Sequence, residues 1–301
     1  MPYASSGGLR IYYEAEGDPA APPLLLVVGL GAQLTWWPPG LRSVLADRGF
    51  FVICADNRDA GLSTWLDDLG PVDLLAVLSG TVAPPYLLAD MAADAVAVLD
   101  AVAVPSAHVL GASMGGMIAQ AIAIEHPDRV RSLTSAMSST GGPGVGQQRA
   151  DITDMLLSPR PADKAANVAQ SVALARATSS PAFGFDEART RARMSAEYDR
   201  GNHPDGAGRQ LAAILMSGDR TAALGSLSMP VLVMHGDADP MIDVSGARAT
   251  AAAVPGARLW IVPGMGHDLP DVLFSAIADQ MAALAALAGD TLPVVRAQAA
   301  S

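Results

Sequence analysis

Short apolar runs alternate with longer segments of helical periodicity along most of the chain. Apolar runs bounded by glycine and proline are typical of buried strands. The predicted strands are residues 9–14, 24–28, 51–55, the run that starts at His108, 130–136, 230–234 and 258–262. The predicted helices are residues 40–48, 87–102, the apolar segment that ends at Ala123, 246–253 and 269–287. This alternation predicts an α/β fold, with a mostly parallel central sheet and helices on both faces.

The alternation is interrupted between residues 141 and 220. Helical periodicity recurs there at residues 151–157, 162–178 and 186–198, with no strand between them. A helical insertion between a strand and the next α/β unit is expected to lie as a cap over the ligand-binding end of the sheet. We therefore predict one domain, with an α/β core of residues 1–140 and 221–288, a helical cap of residues 141–220, and a flexible tail of residues 289–301.

Composition and charge limit the possible partners. Half of the 301 residues are hydrophobic but only 5% are aromatic, so the core is expected to be mainly Ala, Leu, Val, Ile and Met. The formal net charge of -11 argues against nucleic acid or an anionic membrane surface as a partner, because phosphate binding requires clustered Lys and Arg. A small neutral or cationic ligand is favoured, and the oligomeric state is left open.

The single cysteine and the hydropathy of the chain indicate its compartment. Cys54 has no partner for an intrachain disulfide or a cysteine-based metal site, which fits a reducing compartment. Acidic residues such as Glu14 and Glu16 precede the first strongly apolar run, so no signal peptide is expected. The longest apolar region, residues 273–288, is interrupted by Asp279 and is too short to span a bilayer. We expect a cytoplasmic protein without an integral membrane segment.

The segment around Ser113 joins a predicted strand directly to a predicted helix. Gly111, Gly115 and Gly116 flank the serine and leave room for a sharp turn. Such a turn forces strained backbone angles on its central residue and places the hydroxyl at the start of the helix, where backbone N–H groups lack intrahelical partners. Ser113 is therefore the predicted nucleophile.

A nucleophilic serine needs a base to take its proton and an acid to orient that base. The loop after predicted strand 230–234 offers Asp237 and Asp239, and His267 follows the last predicted strand in a Gly-Met-Gly loop. His267 is the predicted base, since each of the other four histidines has a plainer structural explanation. No histidine pair has the His-Glu-x-x-His spacing, so neither a metal nor a cofactor is expected.

Acyl transfer to serine creates an oxyanion that two backbone donors should stabilise. The first predicted donor is the N–H of Met114, directly after the nucleophile. The second is expected from the glycine-bounded loop Gly29-Leu30-Gly31 at the end of a central strand, and Leu30 is the better candidate.

Several stretches of the chain resemble the α/β-hydrolase superfamily, and in particular actinobacterial carboxylesterase/lipase proteins and the aclacinomycin methylesterase group. The similar stretches are Asp56-Asn-Arg-Asp-Ala-Gly-Leu-Ser63, Gly111-Ala-Ser-Met-Gly-Gly-Met117, residues 249–259 and Pro263-Gly-Met-Gly-His-Asp-Leu-Pro270. The resemblance implies the α/β-hydrolase fold and a Ser-Asp-His triad. It assigns the acid to Asp239, because Gly236 stands three residues before it as in the family pattern. Many members carry His-Gly at the oxyanion loop, whereas this chain has Val28-Gly29 and lacks that tethering side chain.

These residues predict a serine esterase that cleaves carboxylic esters, with small or hydrophobic acyl or methyl groups, through an acyl-enzyme intermediate. The expected partner is a small-molecule ester. The same residues are also compatible with a cofactor-free perhydrolase or haloperoxidase of this fold. A third alternative is a ligand-binding protein of the same fold with little turnover.

Overall fold

An eight-stranded sheet forms the centre of the protein in the computed structural model, which describes residues 2–292. The strands are β1 (Tyr3–Ser6), β2 (Leu9–Glu16), β3 (Pro23–Val27), β4 (Phe51–Ala55), β5 (Ala107–Ala112), β6 (Val130–Ala136), β7 (Val231–Gly236) and β8 (Arg258–Val262). Their spatial order is β1-β2-β4-β3-β5-β6-β7-β8. β1 and β2 pair in antiparallel fashion, and β3 to β8 are parallel to one another. The predicted mostly parallel sheet is confirmed.

The central strand β3 is buried on both faces. Leu25 and Val27 belong to one hydrophobic cluster, and Leu24 and Leu26 belong to the cluster on the opposite face. All four side chains are buried, which explains why β3 is a continuous apolar run instead of an alternating one. Because β3 lies between β4 and β5 in the strand order, the end of β3 and the loop that follows it lie at the centre of the sheet.

Helices cover both faces of the sheet and fill the long connection between β6 and β7. They are α1 (Pro39–Asp47), α2 (Leu74–Leu78), α3 (Leu88–Ala101), α4 (Met114–Glu125), α5 (Ala150–Leu157), α6 (Lys164–Thr178), α7 (Glu187–Arg200), α8 (Pro204–Met216), α9 (Thr221–Leu224), α10 (Ser245–Ala253) and α11 (Phe274–Leu287). α1 and α11 contribute to the cluster of Leu24 and Leu26, while α3, α4 and α10 contribute to that of Leu25 and Val27. Within residues 2–292, no helix is both long and apolar enough to cross a membrane.

Residues 141–220, called here the inserted segment, contain helices α5 to α8. The sequence pattern predicts the first three but not α8, because Gly206 and Gly208 lower the helix propensity of that stretch. Packing requires the first glycine, since a Cβ on Gly206 would overlap the carbonyl oxygen of Asp59. Tertiary contact therefore overrides local propensity in α8. The short elements β1 and α2 are also absent from the sequence prediction.

The first residues of the predicted tail contact the core. The carboxylate of Asp290 lies 2.9 Å from His108 Nε2 and also accepts a hydrogen bond from Arg131. Its side chain is only 11% exposed. The remainder of the predicted tail, residues 293–301, lies outside the described residues.

Candidate active site

Ser113 occupies the turn between β5 and α4, with backbone angles φ 60° and ψ -124°. A positive φ is unusual for a residue that carries a side chain, and it costs conformational energy. The turn leaves no space beside the serine, because a Cβ on Gly111 would overlap the carbonyl oxygen of Gly115, and one on Gly115 would overlap that of Val27. The N–H of Ser113 donates to the carbonyl of Ala136 at 2.9 Å, which attaches the turn to the end of β6. These contacts hold the hydroxyl at the start of α4.

The side chains predicted as nucleophile, base and acid are in mutual contact. His267 Nε2 lies 2.9 Å from Ser113 Oγ, and His267 Nδ1 lies 2.7 Å from Asp239 Oδ2. Because the carboxylate can only accept, Nδ1 carries the proton of the neutral ring and Nε2 presents its lone pair to the serine hydroxyl. The imidazole is 10% exposed and the carboxylate is fully buried. This arrangement can remove the serine proton.

The carboxylate of Asp239 is bound on both oxygens. Oδ1 accepts hydrogen bonds from the N–H groups of Met241 at 2.8 Å and Ile242 at 3.0 Å, and His235 Nε2 lies 3.3 Å from Oδ2. Burial acts to raise the pKa of Asp239. Electrostatic attraction to the His267 ring and the hydrogen bonds from His235, His267 and Ile242 outweigh burial and hold that pKa well below its usual range. The acid is therefore ionised at neutral pH.

Asp237, the other candidate acid, takes no part in the hydrogen bonds that join Ser113, His267 and Asp239. Its side chain accepts a hydrogen bond from the N–H of Gly264 at 2.6 Å, and the residue is exposed. It therefore connects the loop after β7 to the loop after β8 without touching the imidazole. Of the two aspartates in this loop, only Asp239 contacts His267.

The loop that carries His267 is held by the inserted segment. The N–H of His267 donates to the carbonyl of Thr178 at 2.8 Å, and the N–H of Gly266 donates to Ser180 Oγ at 2.8 Å. The Ser180 hydroxyl in turn donates to the carboxylate of Asp268. Burial raises the pKa of Asp268, and the hydrogen bonds from Ser180 offset part of that effect. The position of the imidazole thus depends on the last residue of α6 and on Ser180 just after that helix.

The loop after β3 lies against the serine. A Cβ on Gly29 would be 3.1 Å from the Cβ of Ser113, closer than an ordinary contact, so a larger residue here would push the loop and the serine apart. Within residues 2–292, the N–H groups of Leu30 and Met114 have no hydrogen-bond acceptor. Two unpaired N–H groups beside a serine hydroxyl can bind a negatively charged oxygen.

A family model described as the alpha/beta hydrolase fold matches residues 22–272. The chain belongs to the α/β hydrolase family. This result confirms the predicted superfamily and fold. The chain is similar to rhodomycin D methylesterase of Streptomyces peucetius, with 30% identity over 90% of this chain and 93% of the relative. It is also similar to 3-oxoadipate enol-lactonase 2 of Acinetobacter baylyi, with 28% identity over 80% of each chain.

Solved structures of the same fold superpose over nearly the whole α/β hydrolase chain. The esterase RhEst1 from Rhodococcus sp. ECU1013 gives a TM-score of 0.75 at 22% identity and covers 94% of this chain and 98% of its own. An enol-lactonase from Burkholderia xenovorans LB400 gives a TM-score of 0.71 at 20% identity, over 96% of this chain and 100% of its own. At these identities the likeness shows the fold alone.

Arginine–aspartate pairs fix the loop after β4 in this hydrolase. One pair joins the loop to α3, and two others join it to the inserted segment. Their N···O distances are 2.6 Å for Arg58–Asp94, 2.8 Å for Arg209–Asp59 and 2.7 Å for Arg200–Asp56. Arg209 and Asp59 are fully buried, so this pair is shielded from water and salt. The C-terminal half of the inserted segment is therefore attached to the core by charge as well as by packing.

Two of the other histidines make structural contacts, and the cysteine thiol is buried. His108 Nδ1 lies 2.8 Å from Ser132 Oγ inside the sheet, and His203 lies 3.2 Å from Asp67. Burial raises the pKa of the Cys54 thiol to about 11, so it is protonated and inert at neutral pH. Within residues 2–292, no group of three or more His, Cys, Asp or Glu side chains is arranged to hold a metal ion.

Four further side chains that hold the site are not identified by sequence reasoning. Ser180 and Asp268 hold the loop of His267, Asn57 donates to the carbonyl of Val28, and Gln210 accepts from the N–H of Gly31. Asp268 directly follows His267, and Asn57 lies in a polar loop after a central strand, so the positions of both residues in the sequence indicate that they lie near the site. Gln210 and Ser180 come from the inserted segment and have no local signal. Their contacts depend on how that segment packs on the core.

Proposed function

We propose that the protein is a serine esterase that hydrolyses carboxylic esters. The observation that carries this proposal is the hydrogen-bonded path from Ser113 through His267 to the buried carboxylate of Asp239, which begins at a strained turn. In this scheme Ser113 is the nucleophile, His267 the general base and acid, and Asp239 the residue that orients the imidazole.

In the first step, Ser113 Oγ adds to the ester carbonyl carbon while its proton passes to His267 Nε2. The π electrons of the carbonyl move onto its oxygen, and the N–H groups of Leu30 and Met114 donate hydrogen bonds to that oxyanion. The carbonyl then re-forms, the bond to the alcohol oxygen breaks, and His267 gives its proton to the departing alcohol. The product of this half-reaction is an ester of Ser113.

Water completes the cycle by the same route. His267 takes a proton from water as the water oxygen adds to the acyl carbon, and the second oxyanion occupies the same two N–H groups. When the bond to Ser113 Oγ breaks, His267 returns the proton to the serine. Each backbone donor is expected to contribute on the order of 10²–10³-fold to turnover.

The relatives support an ester as the substrate. The names methylesterase and enol-lactonase both denote cleavage of an ester bond. By analogy, we propose small or hydrophobic acyl or methyl esters as substrates. The formal charge of -11 favours neutral or cationic molecules over polyanions. The mechanism needs no cofactor, and the single thiol of Cys54 is consistent with a reducing compartment such as the cytoplasm.

We also propose that the inserted segment, residues 141–220, acts as the cap over this site. Its support comes from two contacts made on opposite sides of Ser113. Thr178 and Ser180 hold the loop of His267, and Gln210 bonds the loop that carries Leu30. A segment anchored at both points spans the site and can shape the acyl pocket.

Replacement of the nucleophile tests the proposal. Ser113→Ala should remove turnover of a short p-nitrophenyl ester and labelling by a fluorophosphonate probe, because it removes the hydroxyl that contacts the proposed base His267. Folding should persist, since the hydroxyl contributes little to the core. Ser79→Ala, an exposed serine on the outside of the protein, is the matched control and should behave as the parent.

Pre-steady-state kinetics complete this test. The parent should release a burst of p-nitrophenol equivalent to one active site before steady turnover, as expected when acyl-enzyme accumulates. Persistent labelling of Ser113→Ala would identify another nucleophile. A parent protein that neither reacts with the probe nor hydrolyses esters would refute the proposed function.

A further inference from the structure

A buried glutamine of the inserted segment touches the loop that carries Leu30. Gln210, on α8, accepts a hydrogen bond through Oε1 from the N–H of Gly31 at 2.7 Å. Its Nε2 donates to the carbonyl of Arg58 at 2.8 Å. The side chain is completely buried. One amide thus joins three segments that are far apart in sequence: the loop after β3, the loop after β4, and α8.

The hydrogen bond acts directly on the turn that contains Leu30. The N–H of Ala32 donates to the carbonyl of Gly29 at 3.3 Å, which makes Leu30 and Gly31 the two central residues of the turn. Gly31 has φ 64°, the positive value that the second central position of a type II turn requires. The bond from Gly31 to Gln210 restrains the peptide between those central residues, which could otherwise rotate and change the turn type.

A second hydrogen bond restrains the other side of Leu30. Asn57 Nδ2 donates to the carbonyl of Val28 at 2.9 Å. The side chain of Val28 is apolar and buried, so it offers no polar contact of its own to the loop. Leu30 therefore lies between two restrained peptides, one held by the core through Asn57 and the other by the inserted segment through Gln210.

The helix that carries Gln210 is itself firmly attached. Its neighbour Arg209 donates through Nε and Nη2 to both oxygens of Asp59, at 2.9 and 2.8 Å, in a fully buried pair. Gly206, one turn earlier, lies directly against the backbone of Asp59. A side chain on such a support can position a peptide group to within the small tolerance that catalysis demands.

We propose that Gln210 is a positioning residue for the oxyanion donor, and sets the direction of the Leu30 N–H through Gly31. The inference rests on the proposed esterase function. In this scheme the inserted segment contributes to stabilisation of the transition state, in addition to enclosing the substrate.

Gln210→Met tests this role, because methionine has a similar length but cannot accept the hydrogen bond. With a donor displaced, we expect kcat to fall on the order of 10- to 100-fold while KM changes little. Rates are expressed per active site, titrated with the fluorophosphonate, so that loss of folded protein does not enter.

A transition-state analogue separates positioning from a general structural defect. Ser113 Oγ adds to the carbonyl carbon of an alkyl trifluoromethyl ketone, its proton passes to His267, and the resulting hemiketal oxyanion occupies the N–H groups of Leu30 and Met114. Gln210→Met should weaken inhibition by about the same factor as it lowers kcat/KM, because both report transition-state binding. The inhibition constant does not depend on the fraction of active enzyme.

Gln120→Met is the matched control. Gln120 is also a fully buried helical glutamine, and it makes two hydrogen bonds, with Ser135 Oγ at 3.1 Å and Arg220 Nε at 3.0 Å, but it does not contact the loop of Leu30. This variant should be destabilised to a similar extent and should keep the parent inhibition constant.

The outcomes are distinct. An active parent with an unchanged inhibition constant in Gln210→Met would overturn the positioning role and leave the esterase proposal intact. A parent that hydrolyses no ester would refute both. If Gln210→Met does not fold, Gln210→Asn replaces it, since an amide one methylene shorter cannot reach both Gly31 and Arg58. A parent-like inhibition constant in folded Gln210→Asn would equally refute the inference.

Discussion

Asp237 and Asp239 allow the same chemical change to be made at two positions in one loop, only one of which contacts the imidazole. In Asp239→Asn, the amide oxygen can still accept from Met241 and Ile242, which leaves the NH₂ group facing His267 Nδ1 and His235 Nε2. An NH₂ group donates and cannot accept, so His267 must carry its proton on Nε2. In that tautomer the ring has no lone pair directed at Ser113 Oγ.

The alternative amide orientation does not rescue Asp239→Asn. Rotation by 180° would place the NH₂ group against the N–H groups of Met241 and Ile242, at positions now 2.8 and 3.0 Å from an acceptor oxygen. Two donors facing one another leave buried polar groups unpaired, at a cost of about 1–3 kcal/mol each. The wrong tautomer is thus the favoured state of the variant.

The size of the effect follows from that tautomer. The equivalent change in a serine protease lowers kcat about 10⁴-fold. Four factors of ten at about 1.36 kcal/mol each give a barrier increase of about 5 kcal/mol. We expect a loss of this order for Asp239→Asn. Asp237→Asn should retain most of the activity, because an asparagine oxygen can accept the same hydrogen bond from Gly264.

The assay is steady-state hydrolysis of a p-nitrophenyl ester at pH 7, with active sites titrated and folding checked by circular dichroism. Titration matters because Asp239→Asn also removes a buried charge and can lower the folded fraction. If kcat collapsed in Asp237→Asn and survived in Asp239→Asn, the assignment of the acid would be wrong. Equal, small losses in both variants would show that neither of these two carboxylates orients the base.

Two further predictions concern stability. Arg209→Met leaves the carboxylate of Asp59 buried without its ion-pair partner, so the free energy of unfolding in urea should fall by about 3–5 kcal/mol. Arg149→Met, in a solvent-exposed pair, is the control and should unfold at nearly the same urea concentration as the parent. The lowered pKa of Asp239 means that, below its unfolded pKa of about 3.9, the unfolded chain binds a proton that the native state does not. The resulting stability is present in full above that pH and is lost as the pH falls towards the native pKa. The difference in unfolding free energy between the parent and Asp239→Asn should therefore shrink only below about pH 4. A difference that stays constant from pH 6 to pH 3 would contradict this prediction.

The parts of the structure that depend on local pattern were predictable from the sequence. β3 is an apolar run because both of its faces are buried, and the turn at Ser113 needs glycines because its backbone passes within contact distance of Gly115 and Val27. Physical constraints of this kind restrict which residue types can occupy a position, and the sequence alone shows that restriction. Residue patterns therefore selected Ser113 and His267 but left Asp237 and Asp239 open, and the resemblance to the family selected Asp239. The structure brings Ser113, His267 and Asp239 together.

The contacts made by the inserted segment could not be predicted in the same way. Helix α8 contains two glycines near its start, and one of them is present because Asp59 packs against it, not because the helix favours it. Gln210 and Ser180 are common polar residues whose roles depend on partners more than 80 positions away. A hydrogen bond across such a distance leaves no periodic signal in a single sequence.

The hydrogen bonds between the inserted segment and the core limit where the sequence of the proposed cap can change. The inserted segment touches the loop of His267 through Thr178 and Ser180, and the loop of Leu30 through Gln210, so it contacts both halves of the proposed catalytic apparatus. Helices α5 and α7 make none of these bonds, whereas the C-terminal end of α6, the residues just after it and the middle of α8 make all of them. A chimera that exchanges residues 141–220 with those of a relative should therefore reach the parent rate only if the incoming segment supplies an acceptor for the N–H of Gly31 and one for the N–H of His267. Under this proposal, substrate selectivity and catalytic rate are coupled through these few hydrogen bonds, because the segment proposed to enclose the ester also holds the loops of His267 and Leu30.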